Sequence, residues 1–139
     1  GKKMMEYAFK AISEYSPDTS LVAVTVLTSL DDSDFKNMGV NITTKTLVSN
    51  LARISKESGL SGVVCSSEEI EIVRELCGKD FKIIVPGIRP KGSQNNDQKR
   101  VMTPKEAISL GADHIVIGRP ITEAKDPKFI VKEILSSIK

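Results

Sequence analysis

The sequence predicts an α/β fold built around a parallel sheet. Short apolar runs rich in Val and Ile alternate with helical segments from one end to the other, the pattern that parallel sheets with helical crossovers produce. Aromatic residues make up only 4% of the chain and Trp is absent, while 40% is hydrophobic, so the core is built from branched aliphatics and Ala. Such residues suit strands covered by helices. Turn residues bound every apolar run, as they do for short buried strands.

In order, a helix over Lys3–Tyr15 precedes a first strand at Leu21–Thr28 (LVAVTVLT). A short extra helix follows near Asp32–Asn37. The acidic run Asp31-Asp32-Ser33-Asp34 reads as its cap rather than as a metal site, because Asp and Ser favour the first turn. A helix over Lys45–Ser58 stops at Gly59 and leads to the strand Gly62–Cys65. The next helix, Glu68–Cys77, opens on Ser66-Ser67-Glu68-Glu69 and stops at Gly78. The strand Lys82–Val85 follows, then a long polar stretch, then a helix over Pro104–Leu110 that opens on Thr103-Pro104-Lys105-Glu106 and stops at Gly111. His114–Ile117 is the last strand and Pro127–Ile138 the last helix. Both Ser66 to Glu69 and Thr103 to Glu106 fit the capping box, in which hydroxyl and carboxylate satisfy free N–H groups at a helix start. Pro104 and Pro127 stand where a first helical residue lacks a partner anyway, and Gly59, Gly78 and Gly111 stand where helices turn left-handed.

Several function classes are excluded early. The 139 residues amount to about one domain of ordinary soluble composition. The net charge is only +2 with both signs interspersed, so there is no basic, aromatic-laced stripe for nucleic acid. No run is long and apolar enough to span a membrane. Cys65 and Cys77 lie far apart with no His or Cys set beside them, which reads as two reduced, partly buried thiols of a cytoplasmic protein. His114, the one histidine, opens a strand at the end away from a barrel's active face and reads as structural, leaving no Ser-His-Asp or Cys-His arrangement. The opening Gly1-Lys2-Lys3-Met4-Met5 reads as the entrance of a helix that follows an earlier segment.

Two parallel architectures compete. An open doubly wound sheet puts a Gly-rich turn after its first strand, whereas Thr28-Ser29-Leu30-Asp31-Asp32 holds no glycine. A (β/α)8 barrel gathers functional residues at the C-terminal end of every strand and grips phosphate at the last two. The strand exits here are Thr28-Ser29, Cys65-Ser66, Pro86-Gly87-Ile88-Arg89 and Gly118-Arg119-Pro120, polar or special each time. That favours the barrel, yet eight strands are required and four are present: the chain is half a barrel, or its sheet is open.

Gly118-Arg119 pairs a glycine that lets backbone N–H groups approach an anion with a planar fork that matches two phosphate oxygens. Pro86 cannot donate to a sheet ladder and so ends its strand, and its ring can pack against a ligand. Pro90 to Arg100 is a long polar stretch between the two phosphate-side exits, which reads as a lid, with the Gln98 amide available to a phosphate oxygen.

Taken together, Ala23 to Ser29, Gly62 to Ser66, Pro86-Gly87-Ile88-Arg89-Pro90, Asp97-Gln98-Lys99-Arg100 and Ile117 to Thr122 resemble the bacterial-type orotidine 5′-phosphate decarboxylase family nearly end to end. The resemblance implies a TIM-type barrel, a homodimer without cofactor, that converts orotidine 5′-phosphate to UMP and CO2 in de novo pyrimidine synthesis. It implies that Thr28 lies near the nucleotide, that Pro86 packs by the pyrimidine, and that Arg89, Gln98, Gly118 and Arg119 bind substrate, the last three around the phosphate. In the family a lysine ammonium stabilises and protonates the carbanion formed when CO2 leaves C6. Those charges belong to a D-x-K-x-x-D motif and an earlier Lys, and this sequence holds no such motif. The expectation is therefore a C-terminal half-barrel over residues 1–139 with no catalytic residue of its own, inactive alone, which pairs with the N-terminal half or with a second copy. Two other readings stay open: a non-catalytic UMP-binding module, and a sister barrel enzyme acting on a sugar phosphate.

Overall fold

A computed structural model describes residues 1–90 and 102–139. The described elements run α1 (Lys2–Tyr15), β1 (Val22–Val24), α2 (Asp32–Asn37), α3 (Thr44–Glu57), β2 (Gly62–Val64), a 3-10 turn (Ser67–Glu69), α4 (Ile70–Cys77), β3 (Lys82–Val85), α5 (Pro104–Ser109), β4 (His114–Ile115), α6 (Arg119–Thr122) and α7 (Pro127–Ser137). The four strands form one sheet in sequence order, every pair parallel. Four successive strands of a (β/α)8 barrel have this order and sense.

The register decides which residues face the helices. Ala23, Val63 and Ile83 are partners across the sheet, and on the adjacent row so are Val24, Val64, Ile84 and His114. Successive side chains along a strand alternate faces. Val63, Ile83 and Val85 are fully buried against α3 and α4, where Val48, Ile70 and Val73 meet them. Each such aliphatic contributes about 1.5–3 kcal/mol on leaving water. The opposite face, which in a closed barrel is the inner one, is open: Val24 is 60% exposed and Val116 50%.

One close approach explains a glycine. A Cβ on Gly62 would lie well inside contact distance of the Lys82 carbonyl oxygen, so β2 and β3 pair only with glycine there. Arg74 then locks the N-terminal edge of the sheet. Its guanidinium donates to the carbonyls of Gly78, Lys79, Phe81 and Gly111 and to Asp113 Oδ2, at 2.6–3.0 Å. Asp113 Oδ2 also accepts from the Ile83 N–H at 2.7 Å.

The helix punctuation stands where the sequence puts it. Asp31 with Asp34, Ser66 with Glu69 and Thr103 with Glu106 each form a reciprocal capping box. Gly59, Gly78 and Gly111 have φ of +85°, +81° and +104°. The outer strands are shorter than their apolar runs. β1 ends at Val24 rather than Thr28, because β2, its only partner among the described residues, gives way to the Ser66 cap just after the Thr25 N–H has bonded the Val64 carbonyl. β4 ends at Ile115 rather than Ile117, because β3, its only partner among the described residues, runs into Pro86 after the Val116 N–H has bonded the Val85 carbonyl. The helix expected from Glu68 begins as a 3-10 turn, and α6 was not foreseen at all.

Candidate functional site at the strand exits

Because all four strands are parallel and in register, their C-terminal ends lie along a single edge. Thr28, Ser66 to Glu69, Pro86 to Arg89 and Gly118-Arg119 all follow that edge. The sheet order makes the last two groups immediate neighbours and sets the Thr28 segment at the far side, two strands from β3.

Thr28 is buried at the end of a segment that Thr25 anchors, its hydroxyl donating to the Val64 carbonyl at 2.8 Å. The Leu30 N–H bonds Leu27 O, turning the chain into the Asp31 cap of α2. Pro86 is half-buried, and Gly87 takes φ +75°, the left-handed conformation that favours glycine. That turn returns Ile88 to the core, fully buried, and leaves Arg89 only 7% exposed. The Arg89 side chain donates to Ile88 O at 3.0 Å and its N–H to Met102 O at 2.9 Å. Ile88 and Met102 also form an isolated parallel bridge. A buried guanidinium held through its backbone is preorganised: little rotamer freedom remains to be lost on binding an anion. Gln98 lies outside the described residues.

Gly118 is the N-cap of α6, and its carbonyl accepts from the Ile121 and Thr122 N–H groups at 2.8 and 3.1 Å. It is exposed, its φ is −97°, and an added Cβ would meet no described atom within 4 Å. Gly62 is required by the protein's own packing; Gly118 is not. Arg119, half-buried, and Pro120 open the helix. A short helix after the last strand is a recurrent phosphate-side feature of barrels, and Gly before an early helical Pro was its signal in the sequence.

Ser66 reads in the sequence as a strand exit and, with Glu69, as a capping box. Both are buried at the β2 exit, the Glu69 carboxylate taking the Ser66 N–H at 3.1 Å and the Ser66 hydroxyl. Beside them Asp31, Asp32, Thr44, Lys45 and Glu68 line an open groove of about 490 Å³. Two of its carboxylates are engaged as caps: Asp31 Oδ1 accepts from the Ser33 and Asp34 N–H groups, and Asp32 Oδ1 from the Thr44 N–H and hydroxyl at 2.7 and 2.6 Å. Among the described residues no three His, Cys, Asp or Glu side chains are grouped to hold a metal ion.

The perturbed titratable groups Glu57, Cys77 and Asp113 sit at the opposite edge of the sheet. Burial pushes the Cys77 thiol up against the opposing pull of Lys56 and Arg74, which suits an inert side chain. Burial also opposes ionisation of Asp113, but the Ile83 N–H and the Arg74 guanidinium, with a smaller pull from His114, hold it below the ordinary 3.8. Both cysteines are free and buried, and His114 is exposed at the start of β4.

Comparison with known proteins fits this geometry. Residues 1–134 match the orotidine 5′-phosphate decarboxylase / HUMPS family. Orotidine 5′-phosphate decarboxylase of Actinobacillus pleuropneumoniae is 51% identical over 140 residues, covering 100% of this chain and 61% of that protein. The enzyme of the same name from Haemophilus ducreyi is 52% identical over 99% of this chain and 60% of its own. Among solved structures, orotidine 5′-phosphate decarboxylase from Lactobacillus acidophilus superposes with a TM-score of 0.80 at 35% identity, over 100% of this chain and 59% of that one. An uncharacterized conserved protein from Geobacillus kaustophilus gives 0.78 at 31% identity, over 100% and 60%. The chain thus spans about three fifths of the length of the relatives it matches.

Proposed function

The chain belongs to the orotidine 5′-phosphate decarboxylase / HUMPS family, and from that premise we propose that it is the C-terminal, phosphate-gripping half of a decarboxylase barrel that converts orotidine 5′-phosphate to UMP and CO2. Gly118 carries the reading: an exposed glycine that packing does not demand, at the start of a helix beside a phosphate-matching arginine. The space that a side chain would fill is where a phosphate oxygen approaches the backbone. Arg119 supplies the fork, and Arg89 a second, buried guanidinium at the neighbouring strand exit. Pro86 packs on the pyrimidine, Thr28 meets the nucleotide from the first strand, and Gln98 adds an amide to the phosphate.

The division of labour follows from what these groups are. They bind; none is a base or a nucleophile. Energy from gripping a remote phosphate is spent on positioning the ring where charge develops, and the charges that stabilise that carbanion are the dominant catalytic contribution. With no D-x-K-x-x-D motif in these residues, the chain alone binds UMP without turning over substrate. No cofactor takes part. The same reading makes the completed protein a cytoplasmic homodimer.

Calorimetric titration with UMP, beside an orotidine 5′-phosphate turnover assay, tests this. The 139-residue chain is expected to bind UMP and to show no decarboxylation. Joined in one polypeptide to the unmatched segment of the Actinobacillus relative, it is expected to decarboxylate, and to lose most of that activity on Arg119→Ala. Turnover by the chain alone, or a folded fusion that is inert, overturns the proposal. Binding of a sugar phosphate in preference to UMP would point instead to a sister barrel enzyme.

A further inference from the structure

We propose that Glu106, outside the site at the start of α5, is a positioning residue for substrate binding: with Thr103 it fixes the Met102 carbonyl, and that carbonyl holds Arg89 in place. The proposal rests on the reading of Arg89 as a substrate-binding residue and adds what keeps that arginine ready.

Arg89 is held on one side by its own strand exit. The left-handed turn at Gly87, φ +75°, sends Ile88 into the core, fully buried, and Arg89 follows it at 7% exposure. Its guanidinium donates to the Ile88 carbonyl at 3.0 Å. The other hold comes from a later part of the chain. The Arg89 N–H donates to the Met102 carbonyl at 2.9 Å, and Ile88 pairs with Met102 in the parallel bridge. A buried backbone donor is costly to leave without an acceptor, so the Arg89 backbone follows wherever the Met102 carbonyl points.

What aims that carbonyl is the entrance of α5. Met102 immediately precedes the N-cap Thr103, and Ala107 is the fourth residue of the helix. These are the two positions of a hydrophobic staple, which sets the angle at which the chain enters a helix. Ala107 belongs to the core, and half-buried Met102 packs against that core. The capping box then locks the same place from the polar side. Glu106 Oε2 accepts from the Thr103 N–H at 3.0 Å and from its hydroxyl, and the Thr103 hydroxyl takes the Glu106 N–H. The Thr103 N–H and the Met102 carbonyl are the two ends of one planar peptide group, so fixing one fixes the other. Glu106 and Arg89 therefore hold opposite edges of a single rigid plane. A carboxylate on the N–H also polarises that plane and makes its carbonyl the stronger acceptor.

The test compares Glu106→Ala, Glu106→Gln and Thr43→Ala in the full chain. Thr43 caps α3, on the crossover between β1 and β2, by accepting the Thr46 N–H at 3.2 Å, so its replacement removes a cap of the same kind elsewhere. Glu106→Ala is expected to speed hydrogen exchange of the Arg89 amide by about tenfold or more, while the Cys65 amide, bonded to Ile84 O, keeps its rate. It is expected to weaken UMP binding about threefold to tenfold, the cost of ordering one long side chain on binding. Glu106→Gln, whose amide oxygen still accepts from the Thr103 N–H, is expected to restore both. Thr43→Ala is expected to lose similar stability in urea and to move neither. In an Arg89→Ala background the effect of Glu106→Ala on UMP is expected to vanish, because it acts through that arginine. Unchanged exchange at Arg89 overturns the proposal, as does an affinity loss that Thr43→Ala reproduces or that survives in full without Arg89. Thr103→Ala breaks the box from its other side and gives the same readings should Glu106→Ala fail to fold. If the unaltered chain binds no UMP, the decarboxylase reading fails, and the exchange rates alone decide whether Glu106 anchors Arg89.

Discussion

Replacing Gly118 with Ala separates a residue kept for a ligand from one kept for the fold. The added methyl meets no described atom within 4 Å, so packing leaves room for it. Two small stability effects oppose each other. Ala is a poorer N-cap than Gly by about 0.5–1 kcal/mol, and losing a glycine from the unfolded chain returns about 0.4–1 kcal/mol. Where Ala takes up the Gly118 backbone, φ −97° and ψ −100°, without strain, the net change is within about 0.5 kcal/mol. Binding is different. If the N–H groups at 118 and beyond meet a phosphate, the methyl occupies the oxygen's path and removes a charge-assisted hydrogen bond worth about 1.5–3 kcal/mol, roughly a tenfold to hundredfold loss of UMP affinity. Urea unfolding and calorimetric titration on the same preparations read both quantities. Unchanged affinity refutes the phosphate assignment. An affinity loss accompanied by more than about 2 kcal/mol of destabilisation refutes the claim that the fold does not need this glycine.

Three further outcomes are expected. Arg74→Ala removes donors to four carbonyls and one carboxylate at once; a loss of about 2–4 kcal/mol in urea unfolding is expected, with Lys unable to restore the fork. Because the carboxyl of Asp113 is held below its ordinary 3.8, its contribution is fully present above that value and is lost as pH falls through the lowered one, so Asp113→Asn is expected to flatten the stability profile below about pH 4. Gly62→Ala drives a methyl into the Lys82 carbonyl, and a loss of at least about 2 kcal/mol, or failure to fold, is expected in the same assay.

The sequence foretold the alternation and the caps because those signals are local. Asp31, Ser66 and Thr103 declare helix starts within four residues, and Gly59 and Gly111 declare ends. Strand limits are not local. The apolar runs at 21–28 and 114–117 continue past the strands because pairing stops where the neighbour stops, at the Ser66 cap and at Pro86. No pattern within either run records that. The site was legible as motifs, and the Ser66–Glu69 cap with it, whereas the Ile88–Met102 bridge under Arg89 was not: it arises from residues that look like ordinary filler until the chain is folded. The short α6 was written in Gly118-Arg119-Pro120 and was missed because the same residues were read as a strand exit.

The two edges of the sheet also argue about where the chemistry comes from. At the N-terminal edge Arg74, Asp113 and Ile83 form a charged clamp whose groups are tied to one another and to backbone, which is how stability is built. At the C-terminal edge the arginines stand beside a glycine and a proline, and the nearby carboxylates of Asp31, Asp32 and Glu69 serve as caps. In the proposed decarboxylase the arginines at this edge are committed to the phosphate, and carboxylates do not stabilise a carbanion, so the edge lacks a cation for the ring. On that proposal, the charges that stabilise the carbanion would face the pyrimidine from across the inner face, the side on which Val24 and Val116 are bare. In the completed barrel, the strands that cover Val24 would also exclude water from the ring, where each charge acts more strongly than it would in solution. A polar substitution at Val24 in the completed barrel is therefore expected to lower kcat more than it weakens UMP binding, since the phosphate grip lies at the strand exits and the water it admits does not reach that grip.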